Sequence, residues 1–151
     1  MLILTVSDKD INYLHFIAFE ILQPIYGDQT KSLREWLSGE GFKRAFLMKN
    51  DIGESQAFVN LKIDPSKEYV KISTFFVMPD FRGNGVGKKL LSWVLDYVMS
   101  NTSCTYLKVT VSEDKPESLV FFQKNDFQVI DKIEGKYSEG KTEFILTRSL
   151  S

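Results

Sequence analysis

The run Arg82-Gly83-Asn84-Gly85-Val86-Gly87-Lys88-Lys89 places three glycines within five residues and sets three cations around them. Glycine lets a backbone enter left-handed conformations and approach a ligand closely. Where such a turn opens a helix, the first helical amides have no carbonyl to bond, and the helix dipole adds partial positive charge at the same end. The occupant this chemistry invites is a phosphate or a pyrophosphate. Lys88 and Lys89 strengthen the reading, because cations in a first helical turn oppose the dipole unless an anion lies beside them. The plain alternative is a flexible turn with solvated lysines, and a strong strand before the turn and a strong helix after it weigh against that.

Two other phosphate motifs do not fit these residues. A Walker loop needs Gly-x-x-x-x-Gly-Lys-Ser/Thr, but Arg82 stands where the first glycine should be and Lys89 follows Gly87-Lys88. A Rossmann fingerprint needs Gly-x-Gly-x-x-Gly at the first strand of a parallel unit, whereas this run is Gly-x-Gly-x-Gly behind a long antiparallel-looking region.

The elements that must hold the run are readable on both sides of it. Tyr69 to Val77 is rich in Tyr, Val, Ile, Thr and Phe and is broken by Met78-Pro79-Asp80, which predicts a central strand. From Val86, the residues Leu90, Leu91, Val94, Leu95 and Val98 keep helical spacing as far as Asn101. Upstream, Leu2 to Val6 reads as a strand, and Ser7-Asp8-Lys9-Asp10 caps an amphipathic helix carrying Leu14, Ile17, Ala18, Ile21 and Leu22 up to Pro24 and Gly27. A shorter helix over Lys31 to Leu37 follows, then a hairpin of Lys43 to Met48 and Gln56 to Ile63 around Asn50-Asp51-Ile52-Gly53. Downstream come a strand at Tyr106 to Val111, a short helix at Pro116 to Lys124, a strand at Phe127 to Ile130 and a last one at Thr142 to Thr147. Hairpins first and strand-helix-strand units later predict an α/β (α+β) single domain over residues 1–151, built on one largely antiparallel sheet.

Composition narrows the classes further. A chain of 151 residues is the size of one ordinary domain and buries about two-thirds of the surface its unfolded form exposes. Nineteen basic against twenty acidic residues give a net charge of −1, so no overall field draws nucleic acid or an anionic membrane. Apolar runs such as Phe75-Phe76-Val77-Met78 fall far short of the roughly twenty residues a membrane span needs. The first residues show neither a basic segment nor a small-residue cleavage site. One cysteine, Cys104, and one histidine, His15, can build neither an internal disulfide nor a Cys- or His-rich metal site. The expectation is a metal-free, cytoplasmic protein with no membrane and no nucleic-acid partner.

Arg82-Gly83-Asn84-Gly85-Val86-Gly87 resembles the Arg/Gln-x-x-Gly-x-Gly/Ala signature of the GCN5-related N-acetyltransferase superfamily, with Val77 and Pro79 ahead of it and Leu90-Leu91 behind. The resemblance implies a mixed, mostly antiparallel sheet of about six to seven strands flanked by about four helices, with splayed central strands. It implies acetyl-CoA as co-substrate, its pyrophosphate held by Arg82, Gly83, Asn84, Gly85, Val86, Gly87 and Lys88 and its pantetheine arm by the exposed backbone of Phe76 and Val77. The acyl thioester would then lie between the strands Tyr69 to Val77 and Tyr106 to Val111. A second family motif is less well kept: Phe121-Phe122-Gln123-Lys124-Asn125-Asp126-Phe127 aligns with Phe/Leu-Tyr-Glu-Lys-x-Gly-Phe. Phe122 stands where many members carry a tyrosine that protonates the leaving thiolate, Asp126 replaces the glycine, and Lys115 stands where an asparagine touching the cofactor is common. Lys115 and Phe122 are thus cofactor-side positions without the familiar side-chain roles, Phe122 as a wall of the pantetheine tunnel.

Acyl transfer to an amine needs a neutral amine, a polarised thioester carbonyl and a stabilised thiolate. The Val77 amide or a neighbour can polarise the carbonyl. No carboxylate lies in Val70 to Val77, so the alternative general bases are Glu54, Glu68 and Asp114, the last beside Glu113. Tyr137 or Ser112 could replace the missing tyrosine as acid, although a thiol of pKa about 8.5 can leave without one. His15 and Cys104 read as packing residues, and Tyr26, Trp36 and Phe42 as the region that chooses the acceptor. The function expected is transfer of an acetyl group from acetyl-CoA to a primary amine of a small molecule or peptide. The alternative is an acyl-CoA-binding module of the same fold without turnover. The resemblance admits a homodimer, for which no residue stripe marks an interface.

Overall fold

The computed structural model describes residues 1–135 and 140–150. The strands β1 (Leu2–Thr5), β2 (Lys43–Lys49), β3 (Ser55–Lys62), β4 (Tyr69–Val77), β5 (Tyr106–Ser112), β6 (Gln128–Glu134) and β7 (Thr142–Ser149) follow the order β1-β2-β3-β4-β5-β7-β6, and four helical runs accompany them among the described residues. The chain divides into two compact units, Met1–Ile63 with Thr74–Leu90, and Asp64–Ser73 with the chain from Leu91. The expected mixed, mostly antiparallel sheet with its helices is what the described residues form.

In the first unit, β1 (Leu2–Thr5) pairs antiparallel with β2 (Lys43–Lys49), and β2 with β3 (Ser55–Lys62). The hairpin closes as its composition predicts: Asn50 Oδ1 accepts the amides of Ile52 and Glu54 at 3.2 and 2.9 Å, and the Gly53 amide bonds back to the Asn50 carbonyl at 3.0 Å. The N-terminal helix is not uniform. α1 (Ile11–His15) widens into a π-helical stretch over Phe16–Leu22 before α2 (Gln23–Tyr26). Pro24 supplies a reason, since its ring has no amide to give and crowds the carbonyl four residues back, and the wider turn, with Gln23 N–H bonded to the Ala18 carbonyl, makes room for it. α3 (Thr30–Ser38) follows, its first amide bonded to Asp28 Oδ1 at 3.1 Å. Leu14, Ile17, Ala18 and Trp36 from these helices close on Ala45, Leu47 and Phe58 of β2 and β3, and Phe76 joins the margin. Trp36 packs on Phe58 with ring centroids 4.8 Å apart.

In the second unit, β4 (Tyr69–Val77) contributes its first half, paired parallel with β5 (Tyr106–Ser112) from Tyr69↔Tyr106 to Ile72↔Val109. α4 (Val86–Asn101) is the crossover that a parallel pair requires. The parallel ladder runs as far as Ile72↔Val109. Beyond it Thr110, Val111 and Ser112 pair with β7 (Thr142–Ser149), which also pairs with β6 (Gln128–Glu134). α5 (Pro116–Lys124) buries Phe122, whose ring meets Phe121 and Phe127 edge-on at 5.2 and 5.1 Å. No helix of the described residues is long and apolar enough to cross a membrane.

Asp126, in the family's glycine position, has φ +69°. The backbone there keeps the left-handed conformation that glycine adopts freely, at a cost of about 1–2 kcal/mol for a side-chain-bearing residue, less for aspartate. Asp126→Gly is therefore expected to raise stability by about 0.5–1 kcal/mol in urea unfolding, and Asp126→Val to lower it.

Candidate active site

The glycine run sits where β4 gives way to α4. Met78 N–H donates to the Gln56 carbonyl at 2.9 Å, which ties the end of β4 to β3, and Pro79–Phe81 then makes one turn of 3-10 helix. Gly83 and Gly85 take φ of +80° and +76°, so both glycines are needed for their conformation. A Cβ at either position would meet no atom within 4 Å; the space in front of the turn is open. Gly85 caps α4, its carbonyl accepting Lys89 N–H at 3.0 Å, and the amides of Val86, Gly87 and Lys88 are the first-turn donors that a helix leaves without carbonyl partners. Val86 and Leu90 are buried and anchor the helix, while Lys88 and Lys89 are exposed and form no ion pair among the described residues. Cations at an N-terminal turn oppose the dipole, so an anion drawn to these amides would turn an unfavourable pair into a favourable one.

Arg82 does more than add charge. Its Nε–H donates to the Val77 carbonyl at 2.9 Å, and its guanidinium lies over the Phe76 ring, 5.4 Å from the centroid. One side chain thus fastens the first residue of the turn to the last residue of β4. Arg82→Ala is expected to loosen the turn and weaken binding of a phosphate ligand about tenfold or more, by the loss of one charge-assisted hydrogen bond. Arg82→Gln, whose Nε2 lies as many bonds from Cα as the arginine Nε, should recover much of that loss in a calorimetric titration. Equal losses in both variants would assign the effect to charge alone.

Phe76, Val77 and Arg82 through Lys88 are therefore gathered in one continuous piece of the first unit. The acid-base candidates each have their own surroundings. Glu54 is exposed in the hairpin turn, where its Oε1 accepts Asn50 Nδ2–H at 2.9 Å. Glu68 precedes the opposite end of β4 from the turn, and its carbonyl accepts Thr105 N–H at 2.7 Å. Nine residues of strand separate Glu68 from Met78 along the chain. Asp114, after β5, is exposed and paired with Lys141 at 3.0 Å. Glu113 accepts Thr142 N–H at 3.0 Å and so closes the end of the β5–β7 ladder. Lys115 caps α5, its amide bonded to the Ser112 carbonyl at 2.9 Å. Tyr137 lies outside the described residues. His15 is exposed and stacks edge-on with Phe19 at 5.3 Å, a packing role.

One acid escaped the sequence reading. Glu143 on β7 is only 3% exposed and stands directly across from Ser112, itself 4% exposed. The signal was present: within Thr142 to Thr147, strand alternation sets Glu143 on the same face as Ile145.

The family model for the acetyltransferase (GNAT) family matches residues 11–127. No curated protein sequence matches the chain. Among solved structures, Arabidopsis thaliana NAA60 in complex with a bisubstrate analogue superposes with a TM-score of 0.84 at 17% identity, covering 99% of each chain. Spermidine N-acetyltransferase from Vibrio cholerae, in complex with CoA and spermine, gives 0.83 at 12% identity over 99% of this chain and 95% of that one. Nourseothricin acetyltransferase gives 0.67 at 18%, the match spanning 73% of this chain and 66% of that one. At these identities the likeness is one of fold. The family match, in contrast, takes in the glycine turn together with the strand and helix that frame it, and by it the chain belongs to the GNAT family of acetyltransferases.

Proposed function

We propose that residues 1–151 act as one acetyltransferase domain that moves an acetyl group from acetyl-CoA to a primary amine of a small molecule or peptide. The observation that carries this reading is the turn at Gly83 to Lys88, with three first-turn amides, the exposed Lys88 and Lys89, and open space before two glycines at positive φ. A pyrophosphate fits that chemistry, and two structures of the same fold hold CoA with spermine and a bisubstrate analogue. Met78 N–H is already bonded to Gln56, so the Val77 amide is the better placed of the two neighbours to polarise a thioester carbonyl. Phe122 is buried among Phe121 and Phe127 and offers no proton, and a thiol of pKa about 8.5 can leave without a dedicated acid. With a single cysteine, no disulfide and no basic field, we read the protein as cytoplasmic.

The test is incubation with acetyl-CoA and a panel of primary amines and N-terminal peptides, following free CoA thiol and the mass of each acceptor. The expected result is release of one thiol per acetylated acceptor. Saturable binding of acetyl-CoA with no acetylated product from any acceptor would favour the non-catalytic module.

A further inference from the structure

Asn60 on β3 is only 2% exposed, and its Oδ1 accepts no hydrogen bond from the described residues. A buried acceptor left without a donor is destabilising, and folded proteins leave few of them. Strand alternation sets Asn60 on the face of Phe58, and the register sets it directly opposite Ala45. Phe58 and Ala45 belong to the cluster under the N-terminal helices, so Asn60 stands in the helix-facing layer of the first unit. Tyr13 of α1 packs against the same cluster, and its hydroxyl, held neutral by burial, is the other buried side-chain polar atom of the described residues without a partner. The rest of the layer is strongly aromatic, with Trp36 and Phe58 inside and Phe76 at its margin. Among the described residues of this unit no carboxylate is buried, and the least exposed one on this side, Asp10, is held by Lys49 at 3.2 Å. Two residues along the same face from Ala45 and Asn60, Lys43 and Lys62 stand opposite each other. Phe76 directly precedes Val77, so the layer borders the residue whose amide is set on the thioester carbonyl.

Resting on the acetyl-transfer reading above, we infer that Asn60 is a specificity-determining residue that holds the acceptor nitrogen, and that the acceptor is a monoamine with an apolar body and not a polyamine. The amine binds neutral, its ammonium proton having passed to solvent, and donates one N–H to Asn60 Oδ1. Apolar surroundings favour the neutral form of an amine, and a neutral amine keeps its lone pair for the carbonyl carbon. A second ammonium would enter a layer with no buried carboxylate to pair it and with two lysines at its end, which opposes binding.

The experiment follows thiol release from acetyl-CoA with 2-phenylethylamine and with spermine, for the native chain, Asn60→Leu and Asn60→Asp. The native chain should show a kcat/KM for 2-phenylethylamine about tenfold or more above that for spermine. Asn60→Leu removes the acceptor atom at nearly constant volume, so it should raise the KM for 2-phenylethylamine about tenfold while leaving kcat and the KM for acetyl-CoA within about threefold. Its melting temperature should not fall, because the leucine leaves no unpaired polar atom behind. Asn60→Asp keeps an oxygen in place and should recover part of the change in KM. Turnover of spermine as efficient as that of 2-phenylethylamine would overturn the monoamine class. An amine KM within threefold of native in Asn60→Leu would remove Asn60 from the acceptor site, and a lower melting temperature with equal losses for both substrates would mark it as structural. Absence of thiol release from the native chain with every primary amine would instead overturn the acetyl-transfer reading beneath the assignment.

Discussion

Gly85→Glu is expected to weaken acetyl-CoA binding about 100-fold or more while leaving a folded protein. Two effects combine. At φ +76° any side chain strains the turn by about 1–2 kcal/mol, which distorts the amides of Val86 to Lys88. The glutamate side chain then enters the open space before the turn, where nothing of the protein lies within 4 Å of its Cβ, and sets a negative charge where a pyrophosphate must sit. A loss of 2.7 kcal/mol or more, about 100-fold in affinity, is the expected size in a calorimetric titration. Gly85→Ala carries the strain without the charge and should fall between. An affinity for Gly85→Glu within threefold of the native chain would remove the turn from the site.

Phe58→Ala is expected to be the most damaging single truncation in the first unit. Phe58 is fully buried, lies 4.8 Å from the Trp36 ring and belongs to the cluster that joins the N-terminal helices to β2 and β3. Phenylalanine-to-alanine changes in a core cost about 3–5 kcal/mol through lost burial and the cavity left behind. Against a total stability of about 5–15 kcal/mol, the variant should unfold at much lower urea concentration. Phe58→Leu, which refills most of the cavity, should recover over half of the loss; a cost below about 1 kcal/mol for Phe58→Ala would mean that this cluster does not hold the helices.

What the sequence disclosed and what it concealed divide along physical lines. β4, α4 and α5 begin and end as read, since Pro79, the glycines, Asn101 and Pro116 punctuate strong apolar patterns. The glycine turn was readable because φ and dipole constraints are local. The π-helical widening at Phe16–Leu22 was not, since the spacing of Leu14, Ile17, Ala18, Ile21 and Leu22 suits either helix and only the strain at Pro24 separates them. The partner of Arg82 is a carbonyl five residues earlier, a relation set by the turn and not by any residue pattern. Glu143 was passed over because it precedes an aromatic and aliphatic run that reads as core, although strand alternation sets it on the face of Ile145.

Thermal unfolding of the native chain with and without acetyl-CoA tests the central claim most directly. Ligand at 100 times its dissociation constant should stabilise the protein by about 2.7 kcal/mol, and free CoA, which keeps the pyrophosphate, should do nearly as well. An unchanged melting temperature with saturating acetyl-CoA and CoA would contradict the account at its root, because the turn at Gly83 to Lys88 would then hold no such ligand.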